Sequence, residues 1–166
     1  MLLLSGMLLT ATTNVFSQEA SRDSLVKAAL ELIHESHYCA LVTVDGDGQP
    51  QIRTMNPFPM QDEIVIWFAT ARDSRKVKEI RNNPRVNVYW SDHTNAKGYV
   101  NITGVAEVID DKELLMKMKR DYWEGIKDWK EIFVLIKVVP KTLEVINYKH
   151  NLHNEAVTFR APVVKL

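Results

Sequence analysis

From Ser21 onward, the apolar positions fall into two periods. Leu25, Val26, Ala29, Leu30 and Ile33 recur at helical spacing behind Ser21 and Asp23, which predicts an amphipathic helix near the start of the chain. Tyr38–Val44 is apolar and β-branched and runs into Asp45-Gly46-Asp47-Gly48, a hairpin signal, with Pro50–Phe58 as the return strand. Glu63–Thr70 reads as the next strand. A short basic helix follows, with Asp73 as its cap and Asn82-Asn83-Pro84 as its stop.

Arg85–Ser91 and Tyr99–Ile109 read as strands around the polar segment Asp92 to Gly98. A helix opens at Asp110 and Asp111 and carries Leu114, Leu115 and Met118. Glu131–Val139 and Thr142–Tyr148 then form two strands parted by Pro140. Short strands that mostly follow one another, with three helices inserted, predict an antiparallel barrel rather than an alternating βαβ sheet. The tail through Arg160-Ala161-Pro162-Val163-Val164 is extended and apolar, and such a tail needs a surface to lie against.

Bulk properties narrow the field. At 166 residues, with 46% hydrophobic and 25% charged residues, the sequence suits one globular domain with a real core. Lys+Arg and Asp+Glu are equal at 21 each, so no overall field draws the chain to nucleic acid. The single cysteine, Cys39, excludes an internal disulfide and a cysteine-rich metal site, and its apolar run reads as a buried strand. Met1–Ser17 is uncharged and rich in leucine, with Val15-Phe16-Ser17 offering small residues for cleavage before Gln18. It is too short to span a membrane and reads as a signal for export to the periplasm, although the usual basic start is missing. The other reading is an apolar arm on a cytoplasmic protein. The domain proper is then 18–166.

The strongest chemical signal is a local basic cluster. Arg72, Arg75, Lys76, Lys78, Arg81 and Arg85 crowd around the short helix, against Asp73 and Glu79. Cations in a first helical turn oppose the macrodipole, so their presence there points to a bound anion. Amide N–H groups with guanidinium and ammonium donors make a pocket for a phosphate monoester. The pairs His34/His37 and His150/His153 have i, i+3 spacing, but neither has cysteines or a clear carboxylate beside it. They read as surface or interface histidines, and no metal site is assigned.

An ordered series of segments carries a family resemblance: A-L-V-T-V-D-G-D-G-Q-P-Q-I-R, I-W-F-A-T, D-S-R-K, N-N-P-R-V-N-V-Y-W-S-D, Y-V-N-I-T-G-V-A-E-V-I-D-D and I-F-V-L-I-K-V-V-P. It resembles the FMN-binding split barrels related to pyridoxamine 5′-phosphate oxidase, in particular their general-stress-protein branch, over about residues 21–148. The resemblance implies a mainly β fold, a six- to seven-stranded antiparallel split barrel of Greek-key type with flanking helices. It implies a homodimer with FMN at the subunit interface, and flavin-dependent redox chemistry on a small molecule.

By position, Arg53, Ser74, Arg75 and Lys76 would hold the flavin phosphate. Backbone around Thr54 and Met55 and from Phe68 to Thr70 would line the ring and ribityl chain. Tyr99 and Trp90 would stand near the ring, although Trp67 and Trp90 read on their own as core and interface residues. Two departures count against the oxidase proper. Phe58 stands where the oxidases carry a lysine for the substrate phosphate, and the late arginine–x–histidine of those enzymes is absent. No side chain stands out as a catalytic acid or base. A non-catalytic flavin-binding stress protein, or a haem- or deazaflavin-binding split barrel, are the other readings the family allows.

Overall fold

In a computed structural model the structure describes residues 21–60 and 64–166. The first helix, α1 (Arg22–Glu35), starts at Ser21, whose hydroxyl accepts from the Ser24 amide, and buries Leu25, Ala28, Ala29, Leu32 and Ile33. Strands β1 (Cys39–Val44) and β2 (Pro50–Met55) form the expected hairpin. In its turn, the Asp45 carboxylate accepts from the Asp47 and Gln49 amides, and Gly48 takes φ +83°, a conformation glycine adopts without a Cβ penalty. The register pairs Leu41 with Arg53 and Cys39 with Met55. Cys39, Leu41 and Thr43 are buried, and Ala40, Val42 and Val44 on the other face are less so.

Strands β3 (Ile66–Ala71), β4 (Arg85–Ser91), β5 (Gly98–Ile109), β6 (Phe133–Asn147) and β7 (Val163–Lys165) complete a single antiparallel sheet. Its order is β2-β1-β4-β5-β6-β3, with β7 added beside β6. The sheet curls into a half-barrel around Leu41, Phe68, Val88, Trp90, Ile102 and Ile136, and α1 contributes its apolar face to the same core. The hairpin edge and the β3 edge are bridged where the Phe58 amide donates to the Trp67 carbonyl at 2.8 Å. A smaller apolar cluster forms around Trp123, Trp129 and Leu115, with Phe58 packed against it. Its helical pieces are α3 (Lys112–Lys117), a 3-10 turn at Asp121–Gly125 and α4 (Trp129–Ile132).

The strand expectations need three corrections. The segments on either side of Pro140 are one continuous strand, β6. Thr103 pairs with Thr142 and Gly104 with Pro140, so Lys141 bulges out and the proline, which has no N–H to donate, is absorbed at the irregularity. The tail supplies the seventh strand, with Val164 opposite Leu143. The third strand begins at Ile66, and Glu63 lies outside the described residues, as does the whole of Met1–Ser17. Among the described residues no helix is long and apolar enough to cross a membrane.

Candidate functional site

The basic helix is α2 (Arg75–Asn82), and its N-cap is Ser74 rather than Asp73. Neither side chain caps it: Ser74 sits in extended backbone, and its hydroxyl lies 3.5 Å from Thr70 Oγ1 instead of turning onto the helix. The opening amides of α2 therefore have no side-chain partner, which leaves the positive end of the helix bare. Lys76 reaches back to Thr70 at the end of β3, donating to its hydroxyl at 2.9 Å. Burial, with the neighbouring Arg53 guanidinium next in weight, holds the Lys76 ammonium below its ordinary pKa.

Arg53 enters from β2. Its Nη1 donates to the Gln51 carbonyl at 2.9 Å, to the Leu41 carbonyl at 3.3 Å and to Thr43 Oγ1 at 2.5 Å. Its Nη2 donates to Glu79 Oε2 at 2.7 Å. Thr43 donates to the same carboxylate oxygen. Arg75 Nε lies 2.9 Å from Glu79 Oε1, one helical turn away, yet its N–H is not aligned on that oxygen. Three cations, Arg53, Arg75 and Lys76, thus gather around the bare start of α2, with one carboxylate buried among them.

Other members of the basic cluster are engaged elsewhere. Arg72 forms a two-pronged pair with Asp110 and donates to the Glu131 carbonyl, tying the start of α2 to the far end of β5. Arg85 folds onto Asn83, while Lys78 and Arg81 lie on the exposed face of the helix.

The remaining candidates do not all lie together. Met55 and Phe68 bury their side chains in the core, which leaves only their backbone to face a ligand, and Thr54 is exposed. Trp90 is a core residue whose buried indole N–H has no partner among the described residues. Tyr99 belongs to the opposite face of the sheet. It stacks against Tyr89 with ring centroids 5.6 Å apart and donates to Glu144 at 2.7 Å; burial and that bond push its phenol pKa up.

Glu79 and Thr43 were not singled out by sequence reasoning. In the sequence Glu79 stands only as one of two acids beside the basic cluster, and Thr43 lies within an apolar strand. Their shared signal is a polar residue placed on the inward side of an element.

Away from the cations, a surface cavity of about 370 Å³ opens between the end of α1 and the segment after β2, lined by Ile33, His37, Phe58, Met60 and Arg120. The Arg120 guanidinium stacks over the Phe58 ring, 4.3 Å from its centroid, and donates to the Pro57 carbonyl at 2.7 Å. Among the described residues no group of three or more His, Cys, Asp or Glu side chains is placed to hold a metal ion. His150 instead pairs with Glu31 at 2.6 Å.

The family model described as pyridoxamine 5′-phosphate oxidase matches residues 25–151. General stress protein 26 of Bacillus subtilis is 26% identical over 132 residues, covering 76% of this chain and 91% of that protein. A pyridoxine/pyridoxamine 5′-phosphate oxidase of Streptomyces avermitilis is 34% identical over 79 residues, which is 48% of this chain but only 34% of that enzyme. Among solved structures, the general stress protein 26 of Bacillus anthracis superposes with a TM-score of 0.65 at 25% identity, covering 86% of this chain and 98% of that one. A match across most of the chain, in the order of segments traced above and with the same half-barrel, leads to one conclusion: this chain belongs to the pyridoxamine 5′-phosphate oxidase family.

Proposed function

We propose that the protein binds FMN, with its phosphate at the start of α2, and serves flavin-dependent redox chemistry on a small molecule. The observation that carries this reading is the meeting of Arg53, Arg75 and Lys76 at an uncapped helix N-terminus, beside the hydroxyls of Thr70 and Ser74. Three cations and one carboxylate leave a net charge of +2, which suits a phosphate monoester carrying close to two negative charges. The bare α2 amides add donors without counter-charge. Burial and the neighbouring Arg53 guanidinium, which lower the Lys76 pKa, are both effects that a bound anion would offset.

Each residue then has a stated task. Lys76 and the Ser74 hydroxyl hold phosphate oxygens, Arg75 screens the outer side, and Arg53 supplies positive potential from β2. The backbone from Thr54 to Met55 and from Phe68 to Thr70 orients the ring. When bound, FMN supplies the hydride or single-electron chemistry. The family resemblance supports a homodimer, and so do apolar side chains left exposed on the described surface, Ile52 and Val163 among them. Oxidation of pyridoxamine phosphate itself is not proposed, because Phe58 packs into an apolar cluster where the oxidases place a lysine.

A visible spectrum of the purified protein with added FMN, beside an Arg53→Ala/Lys76→Ala variant, tests the reading. We expect retained flavin absorbance in the wild type and its loss in the variant. Failure of the folded wild type to retain FMN, or a haem band in its place, would overturn it.

A further inference from the structure

Glu79 is the unexplained member of the cationic cluster. A carboxylate inside a site meant for an anion opposes the ligand, and this one is only 4% exposed. Burial of a charge is costly unless it is paired, and here the pairing is built from three separate elements. Arg53 on β2 and Thr43 on β1 both donate to Oε2, while Arg75 on α2 stands beside Oε1. Oε1 itself is buried and receives no directed hydrogen bond. The fork of Arg53 is turned onto Glu79, Thr43 and backbone carbonyls, so most of its donors serve the protein rather than a ligand.

Resting on the phosphate-site reading above, we infer that Glu79 is a built-in counter-ion that neutralises Arg53 in the ligand-free protein and limits how tightly the start of α2 holds a phosphate group. Three converging cations with no anion among them would repel one another. With Glu79 in place, the ligand-free protein is electrostatically closed on the β2 side and open at Lys76. The carboxylate also helps keep Lys76 charged, since its field opposes the depression that burial, Arg53 and Arg75 impose. Asp45, in the hairpin turn, is a further acidic group that feels Arg75. It lies in the exposed turn, bonded to amides and Gln51, and leaves the counter-charge inside the cluster to Glu79.

Glu79 is thus a positioning and affinity-setting residue, not a catalytic one. Its predicted signature is unusual: removing its charge strengthens ligand binding. The test uses the full chain, titrated calorimetrically with inorganic phosphate and with FMN, as wild type, Glu79→Gln and Glu79→Asp. Glu79→Gln keeps the shape and an acceptor for Arg53. We expect it to bind inorganic phosphate about tenfold tighter or more, the scale for one unit charge removed roughly 10 Å from an anion at an effective dielectric near 20. Glu79→Asp, which keeps the charge, should stay near the wild type.

Unchanged or weaker phosphate binding by folded Glu79→Gln, with FMN still bound by the wild type, would overturn the inference and leave the flavin reading intact. If neither ligand binds the folded wild type, the flavin reading falls and takes this inference with it. Should Glu79→Gln not fold in plain buffer, added phosphate must restore its native near-ultraviolet circular dichroism, because the external anion then replaces the missing charge. Failure to restore it would overturn the proposal.

Discussion

Asn147, at the end of β6, donates from Nδ2 to the Ala28 carbonyl in the middle of α1 at 3.0 Å, and both residues are buried. The same side chain accepts from the Lys149 amide, so it also shapes the turn that leaves the strand. Its main chain is paired with Leu152 in both directions. One amide therefore fastens the first helix to the end of the sheet. Replacing Asn147 by Ala should cost about 1–3 kcal/mol, the range for losing a buried hydrogen bond. Urea unfolding of the variant checks this, and a loss below that range would mean water takes over both roles.

Glu31 provides a second, electrostatic fastening, between α1 and the turn that follows β6. It pairs with Lys149 and His150, and those hydrogen bonds lower its pKa from 4.5 to about 2. The carboxylate is bound more favourably when charged in the folded state. Its contribution to stability is therefore complete above pH 4.5 and disappears as the pH falls toward 2. Thermal melts of wild type and Glu31→Gln should differ at pH 7 and converge near pH 2. A constant difference across that window would show that the shape of the side chain, rather than its charge, matters.

Lys76 should make cofactor binding sensitive to alkali. Its pKa in the free protein lies below 10.5, so it loses its proton earlier than an ordinary lysine as the pH rises. FMN affinity should accordingly start to weaken at a pH below that at which free lysine titrates. Flavin fluorescence titrations from pH 7 to beyond the ordinary lysine value of 10.5 provide the measurement. An affinity that stays level throughout would remove Lys76 from the phosphate contacts.

Gly98 opens β5 with φ +137°, and a Cβ at that position would lie 2.0 Å from the Ile146 carbonyl oxygen. That oxygen belongs to the backbone of the neighbouring strand and has little room to withdraw. Gly98→Ala should cost more than about 2 kcal/mol through strain and displaced pairing. Its unfolding midpoint, compared with that of Gly46→Ala in the open hairpin turn, tests the claim.

Cys39 is buried at the start of β1, and burial raises its thiol pKa to about 12. At pH 8 it should resist a disulfide reagent such as dithionitrobenzoate in the native protein and react fully in denaturant. Prompt labelling of the native form would place the residue at an exposed edge and contradict the packing of β1.

Much of this architecture could be read from the chain because each signal was local. The apolar, β-branched run of Tyr38–Val44, the Asp45–Gly48 turn and the Ser21 cap each depend on a few neighbouring residues. Pro140 misled for a good reason. A proline in a strand normally ends it, and the bulge at Lys141 that lets β6 continue shows only in the pairing with β5, where Gly104 stands across from the proline. The gathering of Arg53 with Arg75 and Lys76 was legible through the family resemblance, whereas composition alone showed only a basic helix. The role of Glu79 was not legible, because its partners Thr43 and Arg53 come from strands far away in sequence. Trp90 and Tyr99 show the same limit at closer range, since neighbouring strands place them on opposite faces.

The length of β6 has a consequence for how the chain acquires its shape. This strand touches β5 on one side and both β3 and β7 on the other, so β3 has no partner in the sheet until β6 arrives. During synthesis, Ile66–Ala71 leaves the ribosome long before Phe133–Val138, the segment it must pair with. Closing that gap is a high-contact-order step, and such steps slow folding. In the interval, an apolar strand waits with its hydrogen-bonding edge open, the state in which nascent chains most need chaperone protection. Folding of the half-barrel is therefore a late event, completed only after the final third of the chain has been made.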